Sequence, residues 1–480
     1  MRCLLAGNSL RTMQNMQELM FKSFPGYKRI IFLFFVSYAH VFSSGQEPEQ
    51  VIKAFFDNAL TGREAMYNLE YLCRQTPGRL PGSEASLRAV MFAAEALKKA
   101  GADSVWLQEI TVPKWQRGKE SCSVISSRAG SVELSISALG LSVPSPPGGI
   151  TAEVVEVKDF EQLGRLGKEK INGKVVFFSQ PADNRIINTF TGYAGVVIFR
   201  INGAAEAAKY GASAVIVRSA TQATHDFPHT GVTRYQENIA PIPAVAVSPF
   251  GADRLSEMLR KDPHLKVRLV TECRSYPDTV SWNVIGELRG TLHPDEFITV
   301  GGHLDSWDIT EGAHDDAGGC VQAIEMIRLL KSAGIRTKRT VRAVMFMNEE
   351  ISGTGGITYA REAQKKGEKH YAALESDRGV MSPRGFGFDT DGERLKKLSE
   401  LSRYFQPYNI RDFDKGGGGS DIGPLKPSGT LLIGYMPDTQ RYFDYHHSAN
   451  DTFEKVNIRE LQLGSAAITS LIYLIDLFDL

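Results

Sequence analysis

The chain has 480 residues, 42% of them hydrophobic, and its 55 lysines and arginines balance 55 aspartates and glutamates. This length exceeds one average domain and allows large buried cores. Because the net charge is zero and the sequence has no long basic run, a nucleic acid or an anionic membrane surface is a poor candidate for the partner.

The N-terminal segment has the pattern of an export signal. Lys28 and Arg29 precede the apolar run 30–36, and small polar residues follow at 43–45. An uncleaved membrane anchor needs about twenty apolar residues, more than this run supplies. We therefore assign 1–45 to a signal peptide, whose charged region has ordinary length if translation starts at Met20. The protein is expected to be exported to the medium, the periplasm or a secretory lumen, without a stable membrane anchor after signal removal.

The five cysteines lie at positions 3, 73, 122, 273 and 320, without close spacing. This pattern gives neither a disulfide framework nor a C-x-x-C metal pair. Cys3 would be lost with the signal. One disulfide among the remaining four is compatible with export, but the sequence does not assign it.

Helical periodicity runs through residues 48–100, interrupted by a loop rich in glycine and proline at 77–83. Apolar residues recur there at near-helical spacing, which predicts helices on both sides of the loop. Gly101 follows the second helix in the position of a C-cap. The first strands are predicted at 105–107 and 109–112.

A cluster of prolines and glycines at 143–149 marks a domain edge. Between this cluster and a turn at 275–278, the sequence pattern predicts a separate set of strands and one helix. The strands are predicted at 174–178, 214–217 and 244–247, and the helix at 204–210. The pattern predicts a compact β-rich domain of roughly 125 residues inserted into the first one.

Strands and helices alternate after residue 280, as βαβ units require. The strand candidates are 284–288, 297–300, 340–346 and 371–374. The final run, 461–480, is apolar enough to resemble a membrane span, but Asp476 and Asp479 interrupt it. A docked terminal helix is the better interpretation of that run.

Residues that can bind metals follow several of these strands, at the sheet edge where open α/β folds bind ligands. They are His303, Asp305, Asp315, Glu349, Glu350, Glu375, Asp377, His446 and His447. A single aspartate at the start of a helix usually caps backbone N–H groups, but five ligand-type groups at successive strand ends are harder to ascribe to chance. Mixed histidine and carboxylate groups without a thiolate suit zinc or another borderline first-row metal.

Glu349 and Glu350 are neighbours at the end of a predicted strand. Adjacent side chains of a strand point in opposite directions. One carboxylate can therefore bind a metal while the other accepts a proton from water, as metal-assisted hydrolysis requires.

Five motifs of the second half, together with 115–121 and 276–279 in the first, carry a resemblance to a known family. The five motifs are 302–308, 312–316, 348–350, 375–377 and 446–448. Taken together, they resemble the di-zinc aminopeptidase-like family of co-catalytic metallopeptidases, from about residue 48 to the end of the chain. The resemblance implies an α/β fold with a mixed central sheet, helices on both faces and an inserted β-rich protease-associated domain. The implied boundaries are 46–148 and 276–480 for the two parts of the peptidase core and 149–275 for the insert.

The resemblance also implies a role for each residue of the site. His303 and Asp377 would bind one zinc ion, Glu350 and His447 a second, and Asp315 would bridge the two. Glu349 would be the general base. Asp305 would hold the His303 imidazole in its metal-binding tautomer. The glycine loop 416–419 ends at Ser420 and Asp421, which fall where the family lines its substrate cleft.

The expected activity is zinc-dependent hydrolysis of short peptides, above all dipeptides with free termini, by a homodimeric enzyme. The sequence leaves open whether the amino or the carboxyl end is trimmed. Two alternatives remain on the same fold: a non-catalytic receptor or binding protein, and a single-zinc glutaminyl cyclase. Arg378 departs from the small residue expected beside Asp377, and His314 and His446 are spare imidazoles next to ligand positions.

Overall fold

The computed structural model describes residues 47–126, 128 and 130–480. The predicted signal peptide at 1–45 and Cys3 lie outside these residues. All four cysteines within them, Cys73, Cys122, Cys273 and Cys320, are buried free thiols. The disulfide that the sequence left open is therefore not formed among the described residues.

The described chain begins with three helices, α1 (Pro48–Thr61), α2 (Glu64–Gln75) and α3 (Glu84–Ala100). Ser83 caps α3, since its side chain accepts the N–H of Ser86. Gly101 ends the helix in the left-handed region at φ 94°, where its N–H donates to the carbonyls of Leu97 and Lys98. The predicted helices and the predicted C-cap are confirmed.

The central sheet has eight strands in the order β1-β10-β12-β11-β13-β16-β14-β15. Its strands are β1 (Ser104–Gln116), β10 (Arg274–Leu288), β11 (His293–His303), β12 (Arg339–Phe346), β13 (Lys369–Glu375), β14 (Pro383–Phe388), β15 (Asp412–Lys415) and β16 (Leu431–Pro437). The middle four, β12, β11, β13 and β16, run parallel, while β1, β10 and β14 are antiparallel to their inner neighbours. The sheet is therefore mixed, as predicted.

Helices cover both faces of this sheet because its buried strands are apolar on both sides. On β12, Ala343 and Met345 belong to the core that contains α8 (Gly318–Ser332). Val344 and Phe346 alternate with them and pack on the opposite side with α9 (Thr354–Lys366). The predicted layering is confirmed. A short helix, α10 (Gly392–Ser399), precedes β15.

The last helix, α12 (Ile458–Phe478), packs against α8. Among the described residues it alone is long and apolar enough to cross a membrane, but 78% of its apolar stretch is buried inside the protein. Asp476 accepts the backbone N–H groups of Lys338 and Arg339 at 2.6 and 3.0 Å. Asp479 accepts a hydrogen bond from the Arg339 guanidinium at 2.7 Å. The two acidic residues thus anchor the helix to the start of β12, and the prediction of a docked terminal helix is confirmed.

A second eight-stranded sheet has the order β3-β2-β9-β5-β6-β7-β8-β4. Its strands are β2 (Glu120–Ser126), β3 (Gly130–Leu134), β4 (Ile136–Ala138), β5 (Ile150–Val157), β6 (Val175–Phe178), β7 (Ala214–Arg218), β8 (Ala244–Val247) and β9 (Lys266–Thr271). Its helices are α4 (Phe160–Ile171), α5 (Thr189–Ala194), α6 (Val197–Ala208) and α7 (Pro249–Lys261). The sheet begins at Glu120, earlier than the predicted edge at 149, because β2 pairs with β9 across more than a hundred residues.

Two buried arginines stabilise the region where the two sheets meet. Arg79 donates to the carbonyls of Leu304 and Gly312 at 2.6 and 2.8 Å and so fixes the loop that follows β11. Arg117 binds the Asp308 carboxylate with two hydrogen bonds of 2.9 and 2.7 Å. Because both arginines lie before β2, they join the first part of the chain to the site described next.

Candidate metal centre

The parallel strands β11, β12, β13 and β16 end at the same edge of the central sheet. His303 is the last residue of β11, and Glu349 and Glu350 follow β12. Asp377 follows β13. His447 follows β16 by way of a short helix, α11 (Tyr442–Tyr445). Sheet topology alone therefore brings the predicted residues to one place.

One half of the site is formed by His303, Asp315 and Asp377. The His303 Nε2 atom lies 3.1 Å from Asp315 Oδ1 and 3.6 Å from Asp377 Oδ1. One ligand atom from each residue lies within 4.8 Å of the other two. This is a spacing that a single metal ion could bridge.

The other half shares Asp315 with the first. The His447 Nε2 atom lies 3.4 Å from Asp315 Oδ2 and 2.9 Å from Glu350 Oε2. Asp315 thus turns one oxygen toward His303 and the other toward His447. This two-sided position is the geometry expected of a bridging carboxylate.

The spare imidazoles differ in their surroundings. His314 is stacked on Tyr445, and its Nε2 atom lies 3.3 Å from the Lys455 carbonyl oxygen, so it faces away from the site. His446 stacks on His447 and lies 3.9 Å from Asp315 Oδ2. His447 therefore has the shorter distance to Asp315 and also contacts Glu350, which favours it as the ligand.

The orientation of His303 comes from a different atom of Asp305 than the resemblance implies. The His303 Nδ1 atom lies 3.0 Å from the Asp305 carbonyl oxygen and 3.9 Å from its carboxylate. The carboxylate instead accepts the backbone N–H groups of Asn348, Glu349 and Glu350 at 2.6, 3.2 and 3.3 Å. Asp305 thus orients His303 through its backbone and positions both glutamates through its side chain.

Three polar residues that were not predicted as site residues support the site. Trp307 donates its indole N–H to Glu350 Oε2 at 2.6 Å. Asp316 accepts the backbone N–H of His303 at 3.0 Å, and Asp451 accepts that of Asp315 at 3.1 Å. Asp316 stands beside a predicted ligand in the sequence, which is the only signal that pointed to it.

Burial and crowding set the electrostatics of the site. Burial raises the pKa of Glu350 well above its ordinary value, with Asp315 adding to the effect, and raises that of Asp377 to about 6. Burial disfavours protonation of His303, but the neighbouring carboxylates of Asp315 and Asp377 outweigh burial and raise the imidazole pKa. Burial lowers the pKa of His447 to about 3. A buried cluster of carboxylates calls for positive charge, which a divalent cation would supply.

The donor atoms fit such a cation. Among the described residues, Asp315 Oδ2, Glu350 Oε1 and Asp377 Oδ1 are buried without a hydrogen-bond partner. Buried polar atoms are nearly always satisfied, so these oxygens call for a partner, and a bound cation would provide one. Nitrogen and oxygen donors without sulfur suit zinc and its first-row neighbours.

A cleft of about 360 Å³ opens over these residues. Half-buried Glu349 lines it beside Glu350, as does Ser420 of the predicted cleft loop. Asp421 does not line it. Its side chain is buried, and its backbone N–H donates to Glu375 Oε2 at 2.9 Å.

The second sheet and its helices α4 to α7, which we call the second sheet region (120–271), supply the opposite wall of the cleft. Phe190, Tyr193 and Arg200 line it, and none of them was predicted as a site residue. The Arg200 Nη1 atom lies 3.2 Å from His447 Nδ1, on the side of the ring away from Asp315. Sequence reasoning missed these residues because they lie on α5 and α6, helices beside the second sheet that are distant in sequence from the metal centre.

Comparison with known proteins agrees with this geometry. A model of peptidase family M28 matches residues 283–472. Carboxypeptidase Q of Mus musculus is 33% identical over 434 residues, which cover 90% of this chain and 90% of the mouse protein. The crystal structure of a peptidase M28 precursor from Shewanella amazonensis has a TM-score of 0.85 at 30% identity, covering 89% of this chain and 96% of that one. BSAP, a zinc aminopeptidase from Bacillus subtilis, shares the fold with a TM-score of 0.61 at 19% identity, over 86% of this chain and 94% of its own. The chain belongs to peptidase family M28.

Proposed function

We propose that this protein is a zinc-dependent exopeptidase that hydrolyses short peptides, above all dipeptides with free termini. The observation that carries the proposal is the position of Asp315 between two groups of donors. The names of the matched relatives, carboxypeptidase Q and aminopeptidase, support an exopeptidase class.

We assign two zinc ions to the site. His303 and Asp377 would hold one, Glu350 and His447 the other, and Asp315 both. The unpaired oxygens of Asp315, Glu350 and Asp377 support this assignment. When bound, zinc lowers the pKa of a coordinated water and polarises a carbonyl group.

Glu349 is the proposed general base. It lines the cleft next to Glu350, and its backbone N–H is fixed by Asp305. Its carboxylate takes a proton from the attacking water and passes it to the leaving amine. The Thr230 carbonyl oxygen, 3.2 Å from His447 Nδ1, holds His447 in the tautomer whose Nε2 can bind a metal. Trp307 holds Glu350 in place, and Asp305 fixes the backbone of the two glutamates.

Three further proposals concern the whole chain. The second sheet with its helices is assigned as a protease-associated insert, and it supplies one wall of the substrate cleft. The pattern at 1–45 supports export to the medium, the periplasm or a secretory lumen. The active form is proposed to be a homodimer, as the sequence resemblance implies.

The test is amino-acid release from a panel of unblocked, N-acetylated and C-amidated dipeptides, combined with metal analysis. We expect activity that a chelator abolishes and added zinc restores, at two zinc ions per chain. Release that persists in the metal-free protein would overturn the metal-dependent mechanism. One zinc per chain in the fully active protein would overturn the bridged site.

A further inference from the structure

A small pocket adjoins the metal centre on the side of Asp377. It measures about 160 Å³, the volume of roughly five water molecules. Phe190, Asp377 and Ser420 line both this pocket and the main cleft, so the two spaces are neighbours. The pocket therefore has room for the end group of a peptide but not for a longer segment.

Arg378 supplies the positive charge in this pocket. It is half-buried, and within the part of the chain that the structure describes its guanidinium makes neither a hydrogen bond nor an ion pair. Its guanidinium lies over the ring of Phe190, whose centroid is 4.9 Å from Arg378 Cζ. A guanidinium beside a reaction centre without a protein acceptor is free to bind an anionic group of the substrate.

Aromatic packing holds this guanidinium in place. Phe190 stacks on Tyr442 with ring centroids 5.4 Å apart and meets Phe443 edge to face at 4.9 Å. Because Phe190 is fixed in this way, Arg378 rests on a rigid surface. Such preorganisation lowers the entropy lost when the arginine binds a partner.

Three other charged side chains that line the pocket or the main cleft have contacts within the protein. Glu375 lines it, but its Oε2 atom accepts the backbone N–H groups of Asp421 and Ile422, both at 2.9 Å. In the main cleft, Arg234 donates to the Ile351 carbonyl at 3.1 Å, and Arg200 contacts His447. Of the three arginines that line the pocket or the main cleft, Arg378 is thus the one that makes no hydrogen bond among the described residues.

We infer that Arg378 binds the free α-carboxylate of the peptide substrate, and that the pocket holds the residue on the carboxyl side of the cleaved bond. The inference rests on the proposed peptidase function and adds the residue and the pocket that recognise the carboxyl terminus. A planar guanidinium matches a carboxylate with two parallel hydrogen bonds, whereas an amidated terminus offers neither the charge nor the second acceptor. The substrate class is therefore a dipeptide, or another short peptide, with a free carboxyl end.

The test compares kcat/KM for three substrates: Ala-Leu, its C-terminal amide and N-acetyl-Ala-Leu. In the wild-type protein, we expect Ala-Leu to exceed its amide by about 10- to 100-fold, the range of one charged hydrogen-bonded contact. Arg378→Gln should bring this ratio to within about threefold of unity. Arg378→Lys should give an intermediate ratio, because lysine keeps the positive charge but cannot form the two parallel hydrogen bonds of a guanidinium.

Arg394→Gln is the matched control. Arg394 is also half-buried and lies over an aromatic ring, with Cζ 5.9 Å from the centroid of Tyr371, but it lines neither the pocket nor the cleft. Its substitution should leave the ratio unchanged. A ratio that stays at the wild-type value in Arg378→Gln overturns the inference, and so does an equal loss on Ala-Leu and its amide, which indicates a structural role.

The failure of the proposed function has a different signature. Wild-type protein that cleaves all three peptides at similar rates remains a peptidase but rules out carboxylate recognition by Arg378. If the zinc-loaded protein cleaves none of them, the peptidase proposal fails. Calorimetric titration with Ala-Leu and its amide then makes the same comparison without turnover, and equal affinities overturn the inference.

Discussion

Trp307 donates its indole N–H to Glu350 Oε2 at 2.6 Å, and His447 Nε2 lies 2.9 Å from the same oxygen. The indole ring packs so closely on Gly140 that a Cβ atom there would lie 2.0 Å from the ring. Gly140 belongs to the second sheet region, between β4 and β5. Trp307 therefore connects that region directly to a proposed metal ligand.

Replacing Trp307 with Phe should weaken zinc binding by about 10- to 100-fold, the usual cost of removing a partner that orients a ligand. Phenylalanine keeps an aromatic ring and most of the packing at this position, but Glu350 loses the hydrogen-bond donor that fixes its carboxylate. Competition with a chromophoric chelator measures the change in affinity.

Trp282→Phe serves as the control for this substitution. Trp282 is half-buried against the main core, on β10, and its indole has no hydrogen bond among the described contacts. Zinc affinity should not change in this variant. Equal affinities of Trp307→Phe and the wild-type protein would show that Glu350 keeps its orientation without the indole.

The sequence predicted the inner strands well because buried parallel strands are continuous apolar runs. The runs at 297–300, 340–346 and 371–374 fall inside β11, β12 and β13. The residue at which the second sheet begins was harder to predict from the sequence. Strand β2 joins it only by pairing with β9, and a pairing between distant segments leaves no local pattern.

The clustering of the candidate site residues could be predicted because the ends of neighbouring parallel strands meet at one edge of a sheet, as those of β11, β12 and β13 do, whereas the proposed roles came from the family resemblance. The hydrogen bonds and packing contacts around these residues could not be predicted from the sequence. The Asp305 carboxylate binds the turn after β12 rather than His303, and Phe190 reaches the cleft from the second sheet region. Both depend on how distant segments pack, which residue type and spacing do not encode.

Glu349→Gln should lower kcat by about 10²- to 10⁴-fold, the range of general acid–base catalysis, while zinc content stays near that of the wild-type protein. The amide keeps the size of the side chain but cannot accept the proton of water. Stopped assays of amino-acid release together with metal analysis measure both quantities. Glu362→Gln, an exchange on the surface of α9, controls for loss of a negative charge. Retained activity in Glu349→Gln would remove Glu349 from the mechanism.

His370 should make folding stability depend on pH. Burial, with a contribution from the Arg342 charge, lowers its pKa to about 3, below the ordinary value of 6.5. Between these values the unfolded chain binds a proton that the folded protein does not, so stability is full above pH 6.5 and falls as the pH drops.

Replacement of His370 with Gln should remove this part of the pH dependence, so that the wild-type protein loses about 2 kcal/mol relative to the variant between pH 7 and pH 5. Glutamine can still pair with the Tyr359 hydroxyl, which lies 2.8 Å from His370 Nε2. Urea denaturation at pH 7, 6 and 5 measures the difference. His264→Gln, at an imidazole that is 82% exposed, should follow the wild-type protein. Parallel pH profiles of His370→Gln and wild type would contradict the low pKa.

Gly419→Ala should impair catalysis without unfolding the protein. A Cβ atom at Gly419 would lie 2.0 Å from Glu375 Oε1, and Glu375 cannot yield easily because two backbone N–H groups hold its other oxygen. The loop must then move at the pocket that contains Arg378, and a displacement of about 1 Å can cost up to 10²-fold in rate. We expect kcat/KM for a dipeptide to fall at least about tenfold. Gly423→Ala, with no atom within 4 Å of its Cβ, is the control. Equal activity of the two variants would mean that Glu375 swings aside and that the loop position does not limit catalysis.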